Sequence, residues 1–501
     1  MAVIPYTCVY IDADWRDLLY SASQCVNCTA KREPMIKELQ TMWTNPANQN
    51  KVLPCLSVRS GLDLYLKVKD YPPGSEVIMS AINIPDMVYI VKHHKLKVVP
   101  FDVSIETTGP KVELLDSLIT DKTVAILIAH IYGKWCDIES IIDIAQRRNI
   151  QVIEDCAECF CGFERIGNPR SDLTIFSFGV IKYSTAFGGA LAKIKDEKLY
   201  EQMRERYLKY PIQRHSEYLK KILKYSAVYI LLDCPRIIKP LMTLTRTLNI
   251  DHKKFVIKLL RGFPDQMIKR IRAQPSNALL ATMRRRLRNF DQTDFNASQV
   301  KGEYVRERLP DGVTMVGTQA EVNNYWLFPI LMDNPDTVVK ILNAMGIDAY
   351  RGATQLNLIE PENNDFKVGQ PENDGVNITD SRSFEVTQLE GNGLENCNKT
   401  YNLNTAVLSC SSVESHKVLT QDYRHKVPAH HHEAQNRTFP YEALNRTYPH
   451  EARYLINHVV YIPVNKSVPF HVLDHICKCV KLATRLSKNG RSPDVRLHAK
   501  L

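Results

Sequence analysis

The chain has 501 residues, 44% hydrophobic and 24% charged, with 65 lysines and arginines against 55 aspartates and glutamates. That length accommodates two or more domains of ordinary soluble composition, and a net charge of +10 suits acidic ligands while being too mild to argue for nucleic acid. Thirteen scattered cysteines, an odd number, exclude a closed disulfide framework and point to reduced thiols.

In chain order, residues 1–51 form an N-terminal segment. Its start, MAVIPYTCVYIDADWRD, lacks the basic start and apolar run of a secretion signal. From 52 onward β-like runs alternate with helical ones. The predicted strands are EVIMSA (76–81), KVVPFDV (97–103), TVAILIAHI (123–131), IQVIED (150–155), LTIFSF (173–178) and ALAKIK (190–195). Most are continuous apolar runs, as expected of strands buried on both faces. Between them lie helix-like stretches at 85–95 and 137–149. In the latter, Ile138, Ile141, Ile142 and Ala145 recur at helical spacing. Such alternation predicts an α/β fold with a mainly parallel sheet in a large domain, 52–310, whose ligands sit beyond the carboxyl ends of the strands.

A basic helical insertion is expected near 205–290. Its cluster MRRRLRNF (283–290) reads as a solvated helix face. The apolar stretch 222–242 is broken by Lys224, Asp233, Pro235 and Arg236, so no membrane span is expected there. A smaller C-terminal α+β domain follows in two pieces, 311–354 and 451–490. It has strands at 325–332 and 459–464 and helices at 336–346 and 470–486. Residues 355–450 are rich in Asn, Glu, Ser and Thr and carry the near-repeat NRTFPYEA/NRTYPHEA and His430 to His432. They read as a disordered insertion. The pairs Cys25/Cys28 and Cys156/Cys159 lie too far apart for a zinc ribbon, and no metal is expected. The terminal Ala499-Lys500-Leu501 differs by one small residue from a peroxisomal address; a cytoplasmic location is the main reading and the peroxisome its alternative.

One lysine stands out. In FSFGVIKYSTAFGGA (176–190), Lys182 is set among apolar, aromatic and small residues just after a predicted strand. A lysine buried there without a partner would lose its proton or cost several kcal/mol, on the order of a desolvated charge. It could therefore serve as a nucleophilic amine. Asp155 ends the preceding strand at the same rim. A lysine and an aspartate at strand ends suit pyridoxal phosphate: the amine forms the Schiff base, and the carboxylate keeps the pyridine nitrogen protonated. Ser60-Gly61-Leu62, at the head of a helix-like run, offers N–H groups for a phosphate, and Ser177 offers a hydroxyl.

VIEDCAECF followed by FSFGVIKYSTAFGGAL, with PPGSEVIMSAINIPDM and IAHIYG before them, resembles the DegT/DnrJ/EryC1/StrS aminotransferases. These are fold-type I pyridoxal-phosphate enzymes that aminate keto-sugars on nucleotide carriers. The resemblance implies Lys182 as the catalytic Schiff-base lysine and Asp155 as partner of the pyridine nitrogen. It places Ala157 on a ring face, Ser177 at the phosphate and the Ser60-Gly61-Leu62 backbone in the phosphate cup. Ile84 falls where the family carries a stacking aromatic, and Glu158 where it carries a glutamine near the ring hydroxyl. The resemblance further implies pyridoxal 5'-phosphate as cofactor, a glutamate-like amino donor, a keto-sugar acceptor and a homodimer, with no nucleic-acid or membrane partner. A catalytically silent sensor or scaffold that binds the cofactor or a sugar nucleotide is the competing reading.

Overall fold

A computed structural model describes residues 6–44, 51–233, 240, 266–352, 356–361 and 448–488. The chain divides into two compact units, 1–363 with 439–501, and 364–438; every described residue lies in the first. Most of the expected insertion, with His430 to His432 and the first copy of the near-repeat, and the terminal Ala499-Lys500-Leu501 fall outside the described residues.

A seven-stranded sheet organises the first unit. Its strands are β1 (Lys51–Cys55), β2 (Glu76–Ser80), β3 (Lys97–Phe101), β4 (Thr123–Ala129), β5 (Gln151–Cys156), β6 (Leu173–Ser177) and β7 (Ala190–Ile194). They lie in the order β1-β7-β6-β5-β4-β2-β3. From β3 to β6 the pairing is parallel. β7 returns antiparallel to both β6 and β1.

The period-two alternation of a strand sends successive side chains to opposite faces. Val77, Met79, Ala125, Leu127 and Ile153 therefore pack into one apolar layer, and Ile78, Ile126, Ile128 and Val152 into another. Each layer is covered by helices. α1 (Val58–Lys69) and α2 (Pro85–His93) cover the first; α3 (Glu139–Arg147) covers the second through Ile141, Ile142 and Ala145. Strand β1 was not expected, because Pro54 interrupts a short run. It occupies the sheet edge, where a residue without an N–H is tolerated.

Three further strands, Thr314–Met315, Phe328–Leu331 and Val459–Ile462, form an antiparallel sheet. Helices Pro335–Ala344 and Phe470–Lys488 bury Val338, Ile341, Leu473, Ile476 and Val480 in the same core as that sheet. Gly346, at φ 90°, ends the first of these helices as a glycine cap does.

The arginine cluster reads differently in three dimensions. Helix Asn277–Arg288 packs against two N-terminal helices, Trp15–Val26 and Arg32–Met42. Arg285 and Arg286 pair with Asp17, and Arg284 and Arg288 pair with Glu38. The charge expected on a solvated face is spent on carboxylates distant in sequence.

Candidate functional site

The parallel strands end around one cavity of about 140 Å³. Asp155 comes from β5, Ser177 from β6, His130 from just beyond β4, and Asn83 and Ile84 from the turn after β2. The start of α1 faces it, and the loop between β6 and β7 closes over it with Lys182. This is the rim where an open α/β sheet takes its ligand.

The loop carrying Lys182 is held by its own backbone. Phe178 N donates to Gly189 O, Gly188 N donates back to Phe178 O, and Lys182 N donates to Gly179 O at 2.9 Å. Thr185 Oγ1 donates to Gly179 O at 2.7 Å, and Trp326 Nε1 donates to Ile181 O. Gly189 is required here: its φ is 85°, and an added Cβ would lie 2.4 Å from Met283 Sδ. Lys182 is not the partnerless ammonium that the sequence suggested. Its Nζ donates to Glu158 Oε1 at 3.0 Å and lies 4.3 Å from the centre of the Trp326 ring. Glu158 is positioned in turn by the N–H of Tyr132, at 2.9 Å.

Asp155 is buried, and burial pushes its carboxyl up to about 6; Glu158 adds to the rise, while the N–H of Ala157 and the Lys182 ammonium act against it. Behind it lies a buried pair, His130 Nε2 to Glu154 Oε1 at 3.1 Å. The N–H of Cys136 donates to His130 Nδ1, which fixes that nitrogen as an acceptor and the ring proton on Nε2. Burial works against ionisation at Glu154, but His130, Lys193 and the N–H of Asn168 hold it below the usual carboxylate range. His130, Glu154 and Cys156 offer donor atoms within 4.8 Å of one another. The imidazole and the carboxylate are already engaged within the protein. The ten described cysteines are free thiols.

Of the residues singled out from sequence, Lys182, Asp155, Ala157, Glu158, Ser177 and Ile84 all line the cavity. Ser60, Gly61 and Leu62 do not; Ser57, Val58 and Arg59 line it instead. The helix starts at Val58, so Ser60 and Gly61 already sit inside its first turn. Ser57 is its N-cap, and its carbonyl already takes the N–H groups of Ser60 and Gly61. Gly61 faces the sheet, where an added Cβ would meet Ile175 and Ala192, and Leu62 is fully buried. The N–H groups of Val58 and Arg59, in the first turn, are those an α-helix leaves for an anion.

Sequence reasoning also passed over Asn83, His130, Trp326 and Lys221. Asn83 is buried, and its Nδ2 has no hydrogen-bond partner. Lys221 brings a second amine to the cavity wall, pushed down to about 8 by burial and by Lys224. Only the Ser57 cap had a readable signal, a serine directly before an apolar helical run.

These groups fit a ligand with an anion at the helix start, a basic ring nitrogen for Asp155 and a carbonyl for Lys182. The orphaned Asn83 amide is a further donor awaiting an acceptor.

GDP-perosamine synthase of Escherichia coli O157:H7 is 34% identical over 162 residues, 31% of this chain and 44% of that protein. The UDP-4-amino-4-deoxy-L-arabinose–oxoglutarate aminotransferase of Shewanella sediminis is 29% identical over 173 residues, 34% and 44% respectively. The chain thus spans less than half the length of these curated relatives. Two solved structures share the fold. The aminotransferase TlmJ from Streptoalloteichus hindustanus has TM-score 0.58 and 12% identity, covering 96% of this chain and 99% of that one. DesI, solved in the presence of its TDP-sugar product, has TM-score 0.56 and 14% identity, covering 97% and 94%. Residues 31–226 match the model of the DegT/DnrJ/EryC1/StrS aminotransferase family.

Proposed function

We propose that this chain binds pyridoxal 5'-phosphate in the cavity below Lys182 and acts as an aminotransferase. The amino group would pass from a glutamate-like amino acid to a keto-sugar, including one carried on a nucleotide. The observation that carries the reading is the convergence of Lys182, Asp155, Ser177 and the start of α1 on one cavity at the strand ends. The sugar aminotransferases named among its relatives support the acceptor class.

Pyridoxal phosphate supplies an electron sink that stabilises negative charge on the carbon bearing the amino group. The N–H groups of Val58 and Arg59 with Ser177 Oγ would hold its phosphate. Asp155, buried and costly to ionise alone, becomes a stable carboxylate once a protonated ring nitrogen faces it. Lys182 Nζ is the amine placed to link the cofactor's carbonyl and, when free, to take and return a proton at the substrate carbon. Glu158 orients that amine in the meantime. Ile84 and Ala157 supply apolar walls.

Most soluble oligomers are two-fold symmetric, and the working form would be a homodimer. We place the protein in the cytoplasm, with the peroxisome as alternative. Among the described residues no helix is long and apolar enough to cross a membrane.

The ion pair that ties Lys182 to Glu158 favours one second reading, a silent cofactor-binding protein. Adding glutamate to the cofactor-loaded protein separates the two. An aminotransferase loses its visible band and releases 2-oxoglutarate; a sensor keeps the band unchanged.

A further inference from the structure

The cavity that holds Lys182 has one wall to which the chemistry above gives no task. Helix His215–Asp233 meets the cavity there and contributes Lys221 and Tyr225 to its lining. Tyr218, Ile222, Tyr225 and Val228 recur at helical spacing and bury into the core that also holds Leu18, Cys25, Ala186 and Phe187. Tyr218 Oη donates to the carbonyl of Ala186 at 2.8 Å, which pins the helix to the loop that carries Lys182. Lys221 follows three residues later, on the same side of the helix.

That anchor sets which end of the cavity the amine reaches. Phe187, Gly188 and Gly189, directly after Ala186, line the cavity, and Gly189 N donates to Leu56 O at 3.1 Å. Leu56 leads into Ser57, Val58 and Arg59, the helix start that offers N–H groups to an anion. Lys221, the Gly188-Gly189 turn and the head of α1 therefore border the same end.

Charge at that end needs a further source. A phosphate monoester carries about two negative charges at neutral pH, and a helix start supplies about half a positive charge. Two of the cavity's cations are held by carboxylates: Arg59 Nε donates to Asp86 Oδ2 at 2.5 Å, and Lys182 pairs with Glu158. Lys221 is the third lysine or arginine of the lining. Burial and Lys224 lower it only to about 8, so the amine is still largely charged at neutral pH.

We propose that Lys221 binds the phosphate of pyridoxal 5'-phosphate and completes, from the same chain, the cup formed by the start of α1 and Ser177. The assignment rests on the aminotransferase reading of the cavity. It gives the second amine a task distinct from that of Lys182: it neutralises the anchoring group and takes no part in covalent chemistry.

Spectroscopic titration of the cofactor-free full chain with pyridoxal 5'-phosphate and with pyridoxal, which lacks the phosphate, tests it. Lys221→Gln should weaken pyridoxal 5'-phosphate by about ten- to a hundredfold, the loss of one charge-assisted hydrogen bond, and leave pyridoxal affinity unchanged. Lys221→Arg keeps the charge and should recover most of the loss. A merely structural lysine would lower both affinities together, and that result overturns the assignment. So does an unchanged affinity of Lys221→Gln for pyridoxal 5'-phosphate, including the case in which uridine diphosphate binding weakens instead and the amine serves a nucleotide carrier. These failures leave the aminotransferase reading standing; a wild type that binds neither form of the cofactor overturns both.

Discussion

Asp155→Asn should stabilise the protein while it disables the site. Burial raises the Asp155 carboxyl to about 6 from an ordinary 3.8. One pKa unit corresponds to about 1.4 kcal/mol, so the ionised carboxylate opposes folding by roughly 3 kcal/mol above pH 6. The sign follows from proton counting: between about 4 and 6 the folded state holds a proton that the unfolded state has released. Stability conferred by this group therefore falls as pH rises through that window. Asparagine keeps the shape and still accepts the N–H of Ala157, which Asp155 Oδ1 takes at 3.1 Å. Urea unfolding of cofactor-free protein at pH 7.5 should show the variant more stable by about 2–4 kcal/mol, with the difference shrinking toward pH 4. Added cofactor should stabilise the wild type more than the variant, since only the wild type gains a charge partner, and turnover should fall by orders of magnitude. A cofactor-free Asp155→Asn protein that is less stable than wild type at pH 7.5, or whose advantage is independent of pH, would refute the reasoning.

Other substitutions probe the framework of the site. Val58→Pro removes one N–H at the first helical position, where proline is tolerated and the preceding Ser57 is already extended. Cofactor affinity should drop about tenfold, one charge-assisted hydrogen bond, with little change in cofactor-free melting; Gly61→Ala should show the reverse pattern. Gly189→Ala forces a side chain onto φ 85° and against Met283, so it should cost roughly 2–4 kcal/mol in unfolding measurements. At Asp63, burial works against ionisation, but hydrogen bonds from His94 and Arg272 hold the carboxyl down to about 2. Its stabilisation is complete above about pH 4 and lost as pH falls toward 2, and acid titration of Asp63→Asn should lack that limb, worth about 2 kcal/mol.

What sequence could show was set by how local each feature is. Strands β2 to β6 were legible because burial on both faces demands continuous apolar runs, and Asp155 and Lys182 were legible because each follows such a run. β7 also showed as an apolar run, but its antiparallel direction depends on pairing with β1, which Pro54 concealed. Ser60-Gly61-Leu62, expected in a phosphate cup, lie off the cavity that Ser57, Val58 and Arg59 line. A Ser-Gly pair resembles a ligand loop, whereas the glycine serves packing of α1 on the sheet and the cap is Ser57. Trp326, Asn83 and the carboxylate partners of the 284–288 arginines could not be seen, since their roles depend on chain segments far away in sequence.

The central claim is that Lys182 is the amine that engages pyridoxal phosphate, and the cavity offers a built-in rival in Lys221. Borohydride reduction of the cofactor-loaded protein followed by peptide mass mapping distinguishes them. The account predicts one phosphopyridoxyl group on Lys182, absent from Lys182→Ala. Labelling at Lys221 alone, or no covalent label with cofactor in excess, would contradict it.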